Sequence, residues 1–203
     1  MRRAVAHLKR ADATLRGIID AVGPCRISYR EPEFETLVRS IVYQQLNGTA
    51  ASAIFGRLHG AVCRNGEAMT PRAVLKLTPA RMRSLGLSSQ KSVYIRDLAQ
   101  RAVSGEVVFE TLPDRSDEEV IAHLTQVKGV GVWTAHMFLI FALRRPDILP
   151  TGDLGVRAAI KKAWGKETLP APAEMEELAR PWRPYRSVAS WYLWRSLEGG
   201  AAL

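Results

Sequence analysis

Residues 124–135, Leu124-Thr-Gln-Val-Lys-Gly-Val-Gly-Val-Trp-Thr-Ala135, decide the fold. The stretch ends one helix, turns on Gly129 and Gly131, and starts a second helix. One reading is a tight helix–helix turn, because glycine reaches positive φ at little cost. The other reading is a binding site. Gly129-Val130-Gly131 leaves backbone amides uncovered at the start of the new helix, where free N–H groups and the helix dipole favour an anion such as a phosphate. Leu124 and Val127 share one face of the preceding helix, and Val130 is an apolar plug between the glycines. An aspartate, Asp153, follows in Pro150-Thr-Gly-Asp-Leu-Gly155. It reads either as a helix N-cap or as a carboxylate brought to a gripped nucleic-acid backbone.

Outward from this hairpin the chain reads as helix after helix. Val5, Leu8, Leu15, Ile18, Ile19 and Val22 recur at helical spacing over residues 4–22, and Phe34, Leu37, Val38, Ile41 and Val42 repeat the pattern. Thr70-Pro71 and Thr78-Pro79 each pair an N-cap with proline at the first helical position. Ser116-Asp-Glu-Glu119 is a capping-box signature and predicts a helix to about Gln126. Further helices are predicted from Trp133 to Leu143, from Asp153 to Trp164 with a stop at Gly165, near 173–180 and near 186–197. Val107-Val108-Phe109 is a short β-like run placed in a loop. Hairpin-linked alternation is absent, so the fold class is all-α with roughly ten helices.

The 203 residues suit one large domain or two small lobes. Apolar residues make up 47%, enough for a globular core rather than a disordered chain. The net charge is +9, carried by 22 Arg and only 7 Lys. Arginine forks match phosphate oxygens bidentately, so the bias favours nucleic acid as a partner. Cys25 and Cys63 are far apart in sequence and lack metal-ligand spacing, which argues against zinc and against an iron–sulfur cluster. A reducing, cytoplasmic location is expected, nucleoid-associated if the source is bacterial. Met1-Arg-Arg is followed by no signal-like apolar run, and the longest apolar stretch, Met137–Leu143, is too short to span a bilayer, so no membrane partner is expected.

Four segments together resemble the 3-methyladenine DNA glycosylase II family (AlkA type), within the helix–hairpin–helix, Gly/Pro-rich, Asp glycosylase superfamily. They are Ser40-Ile-Val-Tyr-Gln-Gln-Leu46, Leu85-Gly-Leu-Ser-Ser-Gln-Lys91, the hairpin through Gly152-Asp-Leu-Gly-Val-Arg157, and Trp182-Arg-Pro-Tyr-Arg-Ser-Val-Ala-Ser-Trp-Tyr-Leu-Trp194. The resemblance covers nearly the whole chain from about residue 30. It implies two helical lobes with an active-site cleft between them: a central lobe of about 33–112, and a second lobe of about 1–30 and 113–203. It resembles the compact form, without the N-terminal β-rich domain of larger members. A monomer acting on double-stranded DNA with alkylated bases is expected.

The resemblance also implies roles. Asp153 matches the catalytic aspartate. Trp133, Met137 and Trp194 match the base pocket, although Met137 stands where some members have tyrosine. Gly129, Val130 and Gly131 match the DNA-binding hairpin. Gln45 and Leu46 match the wedge that fills the hole left by a flipped nucleotide; read without the family, Gln44-Gln45-Leu46 is equally the polar end of a helix. Backbone carbonyls of Thr125, Val127 and Val130 match ligands of a structural Na⁺ or K⁺. No cofactor is implied for catalysis. Members that also cut the DNA backbone carry a lysine before the Thr-Ala pair; Trp133 stands there, and Lys128, Lys161 and Lys162 do not match it. A monofunctional glycosylase is the expectation. A non-catalytic DNA-binding module and a glycosylase/lyase are the alternatives. Arg157 contacts either phosphate or an internal acid, and His136 is read as a packing or hydrogen-bonding residue rather than a catalyst.

Overall fold

Local caps set where the helices begin. The computed structural model describes residues 1–63 and 67–198. In chain order its helices are α1 (Arg2–Ala11), α2 (Ala13–Val22), α3 (Phe34–Tyr43), α4 (Gly48–Val62), α5 (Pro71–Leu75), α6 (Pro79–Ser84), α7 (Ser89–Ser104), α8 (Asp117–Leu124), α9 (Val132–Phe141), α10 (Leu154–Ala163), α11 (Pro172–Leu178) and α12 (Arg186–Glu198). Short 3-10 turns cover Phe109–Asp114 and Arg180–Trp182. Among the described residues there is no strand, so the chain is all-α. No helix among them is long and apolar enough to cross a membrane.

The caps predicted from sequence form. Thr70 Oγ1 accepts from the Ala73 amide, and Thr78 Oγ1 from the Arg81 amide. Ser116 and Glu119 exchange both capping-box hydrogen bonds, at 3.2 and 2.8 Å. The periodic run 4–22 is broken into two helices. Asp12 adopts an extended conformation and its Oδ1 accepts from the Leu15 amide, so a carboxylate cap overrides the continuous apolar spacing.

The chain divides into two units. One comprises Met1–Tyr29 with Arg144–Leu203; the other is Arg30–Leu143. The boundary expected near residue 112 falls at Leu143 instead. Residues 113–143 belong with the middle unit because α9 packs on α3 and α8, and Phe138 meets Phe109 with ring centroids 6.1 Å apart. Leu124, Val127, Ala135, Phe138 and Leu139 are buried there. Within the terminal unit α10 and α2 both pack on α12. The Tyr192 hydroxyl donates to the Gly23 carbonyl, and Trp182 Nε1 donates to Asp12 Oδ2, both at 3.0 Å. These bonds tie the chain's first helices to its last.

Candidate functional site

The hairpin in the middle unit is built from one forced glycine and one open helix end. After α8 the backbone turns through Val127 N–H to Leu124 C=O (3.1 Å) and Val130 N–H to Val127 C=O (3.0 Å). Gly129 sits at φ +77°, and a Cβ added there would lie 2.0 Å from Tyr94 Cδ2. Backbone conformation and close approach both demand glycine at this position. Val130 is buried between the glycines. Gly131 is the N-cap of α9, and no side chain caps that end. The first turn of α9 therefore presents amides and a positive dipole end, the geometry that suits an anion.

Helix α7 supports this hairpin with residues that sequence reasoning did not single out. Ser88 Oγ starts the helix by accepting from the Lys91 amide (3.2 Å). The Lys128 amide donates to Asp97 Oδ2 (2.9 Å), as does Arg101 Nε (3.1 Å), and Lys128 Nζ lies 3.8 Å from Oδ1. Burial alone would raise the Asp97 carboxyl pKa. The Lys128 amide, the Arg101 hydrogen bond and charge, and the Lys128 charge outweigh it together and hold the pKa below the usual carboxylate range. Lys91, Tyr94, Asp97 and Arg101 recur at spacings of three and four, so one helical face carries the support. That spacing was the available signal. Nothing local said which loops it would meet.

The turn after α3 carries the expected wedge residues. Gln45 has φ +56°, and Leu46 is exposed. Lys91 Nζ donates to the carbonyls of Val42 and Gln44, each at 2.7 Å. Desolvation lowers the Lys91 pKa. Gln44 Nε2 donates to the Gly129 carbonyl (2.9 Å) and to Thr134 Oγ1 (3.4 Å). Gln44 is thus a bridge from the turn to the hairpin, rather than a polar helix end. Trp133 is 46% exposed on α9, which sets it apart from the core aromatics, while Met137 is half-buried.

In the terminal unit Asp153 is buried, 7% exposed, and caps α10. Its Oδ1 accepts from the Val156 amide (2.7 Å) and from Trp194 Nε1 (2.8 Å). Two donors on one oxygen fix the orientation of the carboxylate. Gly155 makes room for this arrangement: a Cβ there would stand 3.0 Å from Trp194 Cδ1 and 3.1 Å from Asp153 Oδ1. The loop that leads to Asp153 is held at Asp147 by Arg186. Its guanidinium donates to Asp147 Oδ1 (2.8 Å), to the Asp147 carbonyl (2.8 Å) and to Glu176 Oε2 (2.8 Å). Ser187 Oγ accepts from the Ile148 amide (2.9 Å) and donates to the Arg145 carbonyl (2.7 Å). Arg157 Nε donates to the Pro170 carbonyl (3.1 Å), an internal contact that its sequence position did not distinguish from a phosphate contact.

The comparisons with known proteins agree with one another. Residues 38–184 match the HhH-GPD family model, described as a superfamily base excision DNA repair protein. DNA-3-methyladenine glycosylase 1 of Schizosaccharomyces pombe is 32% identical over 198 residues, covering 96% of this chain and 86% of the yeast protein. The solved structure of S. pombe 3-methyladenine DNA glycosylase in complex with abasic DNA aligns with a TM-score of 0.86 at 32% identity, covering 99% of each chain. A DNA-3-methyladenine glycosidase from Bacillus halodurans aligns with a TM-score of 0.82 at 34% identity, over 94% of this chain and 87% of that one.

Proposed function

The chain belongs to the HhH-GPD superfamily of base excision DNA repair proteins, and we propose that it is a monofunctional DNA glycosylase removing alkylated purines of the 3-methyladenine and 7-methylguanine type from duplex DNA. The observation that carries this reading is the Asp153 carboxylate, buried and held through Oδ1 by Trp194 and the Val156 amide. Breaking the N-glycosidic bond sends its electron pair to the departing base and leaves positive charge on the deoxyribose. A fixed carboxylate stabilises that charge most where water is scarce. Water then adds to the sugar C1′ carbon and loses a proton, leaving an abasic site. An N-alkylated purine is already cationic, so it departs neutral without an acid to protonate it.

Selection follows from the same charge. The exposed indole of Trp133 offers a π face to a cationic base, an attraction of about 0.5–2 kcal/mol. Gln45 and Leu46 act as the wedge that recovers part of the stacking lost on flipping. Gly129, Val130 and Gly131 grip a phosphate. The carbonyls of Thr125, Val127 and Val130 are neutral hard oxygens, a donor set that fits Na⁺ or K⁺, and such an ion would supply positive charge against that phosphate. The absence of an amine at Trp133 supports base release without strand cleavage.

A duplex carrying one 3-methyladenine tests the reading. The wild-type chain releases the base and leaves an alkali-labile site. Asp153→Asn lowers the single-turnover rate by about 100- to 1,000-fold, with DNA binding retained. Full activity in that variant removes Asp153 from catalysis. Salt-sensitive binding with no abasic product from any alkylated duplex makes the chain a binding module. A borohydride-trapped covalent adduct makes it a lyase.

A further inference from the structure

Helices α3 and α4 pack as an antiparallel pair joined by the turn at Gln44–Asn47. At the opposite, open end of the pair, three side chains converge: Glu35 from the first turn of α3, His59 from the last turn of α4, and Cys63 just beyond it. One donor atom from each lies within 4.8 Å of the others, and all three residues are half-buried. His59 and Cys63 are four residues apart, so the helix puts them on one face. The third donor comes from another helix. Cysteine spacing along the chain therefore gave no sign of the cluster.

Two of the three donors are already oriented. Glu35 Oε2 accepts from the Met69 amide (3.4 Å), which turns Oε1 toward His59 Nε2 at 3.7 Å. The His59 ring rests on Phe55, with centroids 6.2 Å apart. Burial raises the Cys63 thiol pKa, and the carboxylates of Glu35 and Glu67 raise it further. A thiol set among carboxylates lies in a potential that favours a bound cation. In tetrahedral zinc sites, bonds of about 2.0–2.3 Å put donors roughly 3.3–3.8 Å apart. Side-chain rotation of about an ångström closes the remaining gap.

We propose that Glu35, His59 and Cys63 form a binding site for a divalent transition metal of the zinc class, with water as the fourth ligand. The mixed sulfur, nitrogen and oxygen set excludes calcium and magnesium as preferred ions. The site is a structural staple, separate from the DNA-handling residues. The ten-residue α3 is about 15 Å long, and the wedge turn lies at its other end. Zinc bound here clamps the open end of the pair whose tip carries Gln45 and Leu46.

Cobalt(II) is the probe, added to the full chain kept reduced with a phosphine. The expected result is one cobalt per chain, a thiolate-to-cobalt charge-transfer band, and the visible bands of a four-coordinate ion, all displaced by zinc. Cys63→Ser removes the charge-transfer band, Cys25→Ser keeps it, and Glu35→Gln weakens binding by at least about tenfold. Zinc raises the thermal midpoint of the wild type and leaves that of Cys63→Ser unchanged. The proposal is overturned if the wild type shows no charge-transfer band, or if the band survives Cys63→Ser. His59→Gln guards against misfolding of the cysteine variant: unchanged cobalt affinity in a folded His59→Gln chain also overturns it.

Discussion

At the scale of single residues, two glycines that look alike in sequence separate sharply in space. At Gly129 an added Cβ meets Tyr94 at Cδ2, Cε2 and Cγ. Contact at Cγ is near the root of the side chain, so turning the ring tip gives no escape. The left-handed backbone adds about 1–2 kcal/mol and overpacking about 1–3 kcal/mol. Gly129→Ala should therefore lower the thermal midpoint by roughly 5–15 °C. Gly131 has nothing within 4 Å of its added Cβ, and Gly131→Ala should cost less than about 1 kcal/mol. Parallel melts decide; equal losses in the two variants would refute the Tyr94 contact as the cause. Gly155 makes the same point for chemistry. Gly155→Ala must move Trp194 or Asp153 by a few tenths of an ångström, so single-turnover base release should fall about tenfold or more while DNA affinity holds. An unchanged rate would mean that the Trp194–Asp153 contact is not needed as it stands. The turn at Gly129 and the cap at Asp153 were legible in the sequence, because turn chemistry and capping are local. The reason for Gly155 was not, because the indole it accommodates comes from residue 194.

Among elements, α7 supports both the turn after α3 and the hairpin, a role that its sequence did not announce. Its predicted neighbours were plain: threonine–proline caps before α5 and α6, a capping box before α8, and apolar spacing through α3. Those signals depend on residues within one turn of each other. The face of Lys91, Tyr94 and Asp97 carries polar and aromatic groups at helical spacing, which alone describes a solvated face as well as a support. Only packing shows that it reaches the carbonyls of Val42 and Gln44, the space under Gly129, and the amide of Lys128. A pH measurement tests the Asp97 contact. Its folded pKa is held below the unfolded value, so ionised Asp97 stabilises the chain above that unfolded value. This contribution is lost as pH falls through the folded value. Asp97→Asn should be less stable than wild type near pH 7 by about 1–3 kcal/mol. The gap should close as pH drops below about 4. Urea titrations across that range report it, and a gap that stays constant down to pH 3 would remove the charge from the explanation.

For the whole molecule, chain order and spatial grouping part company. Residues 30–143 form one unit, while the aspartate's unit takes its helices from both ends of the described chain. Caps and periodicity gave most of the helices, though not α4 or α7, and the family resemblance drew the internal boundary near residue 112, about thirty residues before the observed one. The stretch before α8 joins rather than divides: Phe109 and Leu112 within it are buried, and Phe109 meets Phe138 of α9. The contribution of the first helices can be weighed. Leu8, Leu15, Ile18 and Ile19 are at most 2% exposed, and α2 packs on α12, which carries Trp194. Four such side chains at about 1.5–3 kcal/mol each rival the whole net stability of an ordinary domain, about 5–15 kcal/mol. The bonds from Trp182 to Asp12 and from Tyr192 to Gly23 would be lost with them, leaving a buried indole N–H and a phenol to find new acceptors. Removing residues 1–29 should therefore abolish base release and the cooperative melting of the Asp153 unit, although Asp153, Gly155 and Trp194 all remain in the chain. Limited proteolysis should then cut first within residues 144–198. A truncated chain that resists cleavage there and still leaves abasic sites would show that α10 and α12 hold the aspartate without the N-terminal pair.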